Sequence, residues 1–186
     1  MAVMAMAAAP QAMNAGAPPH AVEGPTAPPL IAEAEDMGPP IRIIRFEKPV
    51  AAHAINSRYG TRSLPGEAGP RLHAGVDIAA PTGTPVLATS EGVVTAAGYD
   101  RGGYGRYVEV RHPNGLRSFY AHMSAVDVQT GAQVAGGQVI GKVGSTGYST
   151  GPHLHFEIRR GGARLNPAHY LDREFAVRIP GDRARG

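Results

Sequence analysis

GPHLHFEIRR, residues 151–160, alternates in character along its length. In an extended chain successive side chains point to opposite faces. Leu154, Phe156 and Ile158 then form one apolar face, while His153, His155 and Glu157 share the other. The stretch is expected to be a strand with a core face and a polar face. One histidine on such a polar face needs no explanation beyond solvent. Two imidazoles about 6.5–7 Å apart along one strand call for partners elsewhere in the chain. Glu157 is expected to be solvated, with orientation of a neighbouring histidine as the less favoured reading.

Composition limits what those partners are. The chain has 186 residues, 42% hydrophobic and 18% charged, enough for one ordinary domain and a tail and too few for two large domains. It has no cysteine, which excludes a disulfide framework and a thiolate metal site and leaves His, Asp and Glu as metal ligands. The net charge of +3 comes almost wholly from arginine, Lys48 and Lys142 being the only lysines. The arginines are scattered along the chain, so no nucleic-acid-binding stripe is expected. No apolar run approaches the ~18 residues of a membrane-spanning helix, and no transmembrane segment is expected.

The chain divides near residue 40. Residues 1–40 are rich in Ala, Pro and Met without sustained periodicity and are expected to be a low-complexity tail or linker. MAVMAMAAA has the apolarity of an export signal but lacks a basic start and is short, so export is expected with a signal segment that is incomplete or absent in this sequence. Residues 41–172 are expected to form the folded domain, with 173–186 a C-terminal extension. Within 41–172, short β-branched runs (IRIIRF, PVLAT, GVVTAAG, YVEVRH, SFYAHM, QVIGKVG) are separated by turn signals such as PTG, RGGYG, HPNG and GSTG. Helix signatures are almost absent. HPNGLRSFYAH is the clearest hairpin, with Asn114 and Gly115 at its turn. The expected fold is all-β, an antiparallel sandwich or sheet with few or no long helices.

Two further segments carry histidine. In HAGVDIAAPTGTPV, residues 73–86, His73 and Asp77 are four apart. Gly75, Val76, Ile78 and Pro81 argue against a helix there. On a straight strand the two side chains share a face but stand about 13 Å apart at the backbone. If they serve one ion, the chain must bend between them, and Gly75 is the residue that most easily permits it. In SFYAHMS, His122 ends an expected strand after Phe119 and Tyr120. Taken alone, it fits a backbone-bonded structural histidine as well as a functional one. His20, His53, His112 and His169 are read as surface or structural.

In chain order, HAGVD, YAH and HLHFE resemble the HxxxD, xxH and HxH motifs of the LytM/lysostaphin-type zinc metallopeptidases, which cleave peptides of bacterial cell walls. The similarity extends to INSRYGTR, APTGTPVLATSEGVV, GSTGYSTGPHLHFE and LNPAHYL, and covers roughly residues 56–171. The resemblance implies a β-sandwich whose sheet lines a narrow groove. It implies that His73, Asp77 and His155 hold one zinc ion and that His122 and His153 flank it as catalytic histidines. Such a ligand set suits catalytic zinc, which usually takes three protein ligands and leaves the fourth position to water. Asn56 and Arg62 are expected to line the groove without a catalytic part. Loops 61–72 and 99–105 are expected to shape it.

The function implied is endopeptidase cleavage of peptidoglycan cross-links, with peptide stems as the partner and the periplasm or cell envelope as the location. Three other readings carry less. A non-catalytic relative that activates a separate cell-wall amidase would lack ligands that are all filled here. A two-His-one-carboxylate iron oxygenase leaves His122 and His153 without a role. A lipoyl or biotinyl carrier, prompted by GAQVAGGQVIGKVG, needs a lysine at a hairpin tip, and Lys142 falls inside an expected strand.

Overall fold

A computed structural model describes residues 39–62 and 69–179. Alternation of apolar and polar residues between Gly/Pro/Asn turns yields short strands throughout. In chain order these are β1 (Ile41–Phe46), β2 (Ile55–Ser57), β3 (Gly60–Arg62), β4 (Arg71–His73), β5 (Val76–Ala79), β6 (Pro85–Leu87), β7 (Gly92–Asp100) and β8 (Gly105–Arg111). There follow β9 (Arg117–Met123), β10 (Ala125–Val126), β11 (Gln133–Val134), β12 (Val139–Lys142), β13 (His153–Arg160), β14 (Ala163–Leu165) and β15 (Arg173–Arg178). Among the described residues the single helical element is a 3₁₀ turn, Pro167–His169, capped by the Asn166 side chain. The all-β expectation holds.

Eight strands form the main sheet in the order β11-β7-β8-β9-β13-β5-β2, with β14 hairpinned onto β13. A three-stranded sheet, β10-β12-β6, lies apart from it, and β1-β15 and β3-β4 make two-stranded ribbons. All these pairings are antiparallel. The expected hairpin joins β8 to β9 through Asn114 and Gly115, the Asn114 side chain accepting from the Leu116 amide at 3.1 Å.

GPHLHFEIRR supplies β13, at the middle of the main sheet. Leu154 stands opposite Ile78 and Phe156 opposite Val76, and with Val108, Val110, Tyr120 and Ile158 they fill the core beneath the sheet. The residues between them point the other way: His155 stands opposite Asp77 on β5 and Ala121 on β9. The antiparallel register thus carries ionisable side chains from separate segments onto one face.

Residues 1–38 lie outside the described residues, so the tail or linker expected there does too. Arg173–Arg178, beyond the expected end of the domain at residue 172, pairs with β1 along its full six-residue length. Val177 is buried in the core and the Phe175 ring meets Phe46 edge-on at 5.2 Å.

Candidate active site

β4 ends at His73, the chain bends through Ala74 and Gly75, and β5 begins at Val76. A Cβ at Gly75 would lie 2.3 Å from the Phe156 carbonyl oxygen and 2.9 Å from Glu157 Cγ. Glycine is needed there because β13 passes too close for any side chain. The bend brings His73 Nε2 within 3.0 Å of Asp77 Oδ1. From β13, His155 Nδ1 comes within 2.8 Å of the same oxygen and 3.2 Å of His73 Nε2. Ligand atoms of His73, Asp77 and His155 all lie within 4.8 Å of one another, and all three residues are buried.

His122 and His153 close the other side of this cluster. Their ring centroids are 4.8 Å apart, and His153 Nε2 is 3.8 Å from Asp77 Oδ1. His122 has φ +62°, the left-handed region that non-glycine residues enter only where their surroundings hold them. Its amide bonds Tyr104 O and its ring Nδ1 lies 2.8 Å from Thr146 O, which fixes both backbone and ring. The five residues singled out from sequence therefore stand together on one sheet face.

The outer nitrogens of these rings settle their protonation pattern. His73 Nδ1 faces Arg58 O at 2.8 Å, His122 Nδ1 faces Thr146 O at 2.8 Å and His153 Nδ1 faces Gly151 O at 2.8 Å. A carbonyl only accepts, so each of these nitrogens donates and carries its proton. His155 is turned the other way, its Nε2 donating to Glu157 Oε1 at 3.0 Å. In the neutral rings the inner nitrogens are left as lone pairs. His73 Nε2, His155 Nδ1 and the Asp77 carboxylate then converge on one small volume, an arrangement of electron donors that a cation satisfies. With its two nitrogens and one carboxylate oxygen, the donor set fits zinc.

The electrostatics agree with a cation site. Burial would raise the Asp77 carboxyl, but without a cation the His155 and His73 rings meet it as N–H donors, in place of the lone pairs they would offer an ion, and these hydrogen bonds outweigh burial and hold it well below the usual carboxylate range. Burial would depress His155, but Asp77 and Glu157 overcome it and raise the ring above its ordinary value. The surroundings that draw a proton to His155 equally draw a metal ion, for which protons compete. For His122 burial prevails and lowers the ring to about 4, so it is neutral near pH 7.

Glu157 is the principal correction to the sequence reading. It is fully buried, not solvated. Oε1 accepts from His155 and from the Tyr104 hydroxyl at 2.8 Å, while Oε2 accepts from Arg159 Nε at 2.7 Å and faces Arg164 Nε at 3.4 Å. Burial alone would raise this carboxyl, but the hydrogen bonds from His155 and Arg159 lower it to about 2. Tyr104, in a stretch read as a turn and groove-shaping loop with no role assigned to this residue, covers it. Alternation placed Glu157 on the histidine face; the covering groups come from β14, across the Gly161–Gly162 hairpin, and from the β7–β8 turn, which no local pattern links to β13.

Arg62 Nη1 lies 3.5 Å from Asp77 Oδ2 and hydrogen-bonds Ser57 Oγ, so it meets the oxygen turned away from the imidazoles. Asn56 lines the groove and also accepts from the Ala79 amide at 3.0 Å, tying β2 to β5. The cluster forms the floor of a groove of about 810 Å³. Leu72 and Tyr148 rise from its rim, 56% and 71% exposed, with the Arg71 guanidinium 5.9 Å from the Tyr148 ring. Residues 63–68 of the expected groove loop lie outside the described residues. Gly102, Gly103 and Tyr104 of the other loop line the groove.

An antiparallel β domain with a buried His/Asp cluster on the floor of a groove defines a class of protein with a candidate metal site. Residues 71–167 match the pattern of Peptidase family M23, more than half of the chain, and the chain belongs to that family. It is 51% identical over 120 residues to the DD-carboxypeptidase/endopeptidase Mpg of Neisseria meningitidis, covering 64% of this chain and 27% of that protein. The catalytic domain of lysostaphin from Staphylococcus simulans superposes with a TM-score of 0.59 at 36% identity, covering 65% of this chain and 93% of that one. A zinc-containing peptidase from Vibrio cholerae superposes with a TM-score of 0.61 at 32% identity, over 66% of this chain and 39% of that one. The chain spans only about a quarter of the length of the curated relatives it matches.

Proposed function

We propose that the chain is a zinc-dependent endopeptidase that hydrolyses the peptide cross-links of bacterial peptidoglycan in the periplasm or cell envelope. His73, Asp77 and His155 hold one zinc ion, and His122 and His153 act on the reacting groups. The observation that carries this reading is the set of inward lone pairs. Three donors meet at one point, while two further imidazoles, each locked through its outer nitrogen, face the same point from the groove side. The kinship with cell-wall endopeptidases supports the substrate class.

Zinc, when bound, supplies a Lewis acid that brings the pKa of water towards about 7 and polarises a peptide carbonyl. The chain's own residues do the rest. His122, neutral near pH 7, presents a free Nε2 that accepts the proton of attacking water. His153, its Nδ1 committed to Gly151 O, presents Nε2 to the same volume, where its proton form stabilises the developing oxyanion or passes to the leaving amine. Glu157 fixes the plane of His155 and strengthens it as a donor, as acidic partners of metal-bound imidazoles generally do.

The test is incubation of the zinc-reconstituted protein with purified sacculi of defined chemistry, followed by mass spectrometry of the released muropeptides. Loss of cross-linked dimers with matching new termini, abolished by a chelator, is the expected result. Stoichiometric zinc with every cross-link intact, and stimulation of an added amidase instead, would establish the binding-module reading.

A further inference from the structure

The sheet face that carries the metal cluster continues along the strands to an unusual row of side chains. Arg111 on β8 stands directly opposite Arg117 on β9, Arg117 opposite Arg159 on β13, and Arg159 opposite Arg164 on β14. Four neighbouring strands thus place arginine at one rung of the main sheet. Like charges directly opposite one another destabilise a sheet, so this rung costs stability unless something of opposite charge faces it.

The protein's own carboxylates offset the row only in part. Glu109 takes Arg117 at 2.8 Å and Arg159 at 3.4 Å; Glu157 takes Arg159 at 2.7 Å and Arg164 at 3.4 Å. Arg160, at the β13–β14 turn, donates to the Asn114 carbonyl at 3.3 Å and has no carboxylate partner among the described residues. Gly161 and Gly162 turn that hairpin with φ +54° and +86°, both left-handed, which lets it fold tightly enough to set Arg159 beside Arg164. Arginines 117, 159, 160 and 164 line a concavity of about 510 Å³ whose other charged group is Glu109. Arg159 Nη2 is buried there without a hydrogen-bond partner among the described residues, its guanidinium lying 3.7 Å from the Phe119 ring centroid. The Arg117 and Arg164 side chains remain about half exposed, at 49% and 48%, with donors open to the concavity.

Arg159 is four residues beyond His155 on β13, about 13 Å along the strand, a span that about four residues of extended peptide cover. We propose that this arginine cradle is a carboxylate-binding subsite for an acidic peptide that runs from the metal cluster across Tyr104, which lines the groove and accepts from Arg164 Nη2 at 3.2 Å. Guanidinium forks match carboxylates in shape and charge. A peptide long enough to occupy both sites brings its carboxylates within reach of the row. The inference rests on the hydrolase reading above and adds to it a preference for substrates that carry free carboxylates near the scissile bond.

The test compares a cross-linked muropeptide dimer with the same dimer after its carboxylates are converted to carboxamides, using the full chain reconstituted with zinc. The wild-type protein is expected to favour the free-acid dimer about tenfold in kcat/KM, mostly through KM, with the preference shrinking as salt is raised. In Arg117→Gln/Arg160→Gln, neither of whose sites touches Glu157, that ratio falls towards one. Arg160→Gln alone, at an exposed turn, lowers it in the same direction. Binding of a fluorescent uncross-linked stem peptide, acid against amide, is measured in parallel on metal-free protein. If neither dimer is cleaved, the hydrolase reading fails. The subsite then stands on tighter binding of the acid form by wild type and its loss in the double variant. Equal handling of acid and amide by wild type, or an unchanged preference in the double variant, overturns it. Retention of a phosphodiester polymer without discrimination between the two peptides does the same.

Discussion

His153 and His155 stand two residues apart on one strand face, yet their neighbours divide them. His155 Nδ1 shares Asp77 Oδ1 with His73, whereas His153 reaches that oxygen only at 3.8 Å and has its other nitrogen tied to Gly151 O. His155→Ala is therefore expected to lose zinc, because two protein ligands hold the ion poorly. His153→Ala and His122→Ala are expected to keep near one equivalent of zinc while activity falls about 10²- to 10⁴-fold, the usual loss of a general acid or base. Metal analysis beside muropeptide release separates these outcomes. Zinc retained in His155→Ala and lost in His153→Ala would reverse the two roles. The residue types of the cluster were legible from spacing and motif alone. Their tautomers were not, since Arg58, Thr146 and Gly151 act through backbone carbonyls, which any residue supplies. Glu157 was misread for a related reason: its burial depends on Tyr104 and Arg164, 53 and 7 positions away in the chain.

At the level of elements, the turn between β4 and β5 sets His73 against Asp77. A bend at Gly75 follows from the spacing of the two side chains, but the demand for glycine is one of room beside Phe156 and Glu157. Gly75→Ala pushes β5 from β13 and is expected to cost at least about 1–3 kcal/mol, as overpacking does. Zinc affinity falls with it, and chemical denaturation beside metal titration checks both. A buried histidine outside the metal cluster ties the end of β8 to its neighbours. His112 Nδ1 donates to Glu91 O at 2.7 Å, and its Nε2 lies 2.8 Å from Ser118 Oγ, itself 2.9 Å from the Tyr120 hydroxyl. Burial lowers the His112 ring from 6.5 to about 4, outweighing the bond to Glu91. Above pH 6.5 the ring is neutral folded or unfolded and contributes no pH dependence. Between 6.5 and about 4 only the unfolded chain takes up the proton, so stability falls as pH falls, by about 3 kcal/mol when complete. Urea denaturation at pH 7.5 and pH 4.5 is expected to show a smaller decrease in His112→Gln than in the wild type.

Over the whole molecule, the ribbon of β1 and β15 joins the two ends of the described chain. Removing residues 173–186 strips β1 of the one strand it pairs with among the described residues and takes Val177 and Phe175 from the packing around Phe46. A loss of about 3–5 kcal/mol is expected from those two side chains, read as a lower denaturation midpoint. An unchanged midpoint would mark β15 as dispensable. The pairing could not be read from the sequence, because REFAVR has no turn linking it to IRIIRF, some 130 residues earlier. The amino-acid sequence by itself determined an all-β domain, the face that each residue of GPHLHFEIRR takes, and the cysteine-free set of groups able to hold a metal. These follow from periodicity and composition, which act locally. Only the tertiary structure decided that arginines scattered along the chain meet in one rung, that Glu157 is sealed beneath Tyr104, and that each imidazole turns its lone pair inward. Those outcomes depend on strand register, and register comes from pairing between distant segments whose side chains each carry only half of the contact.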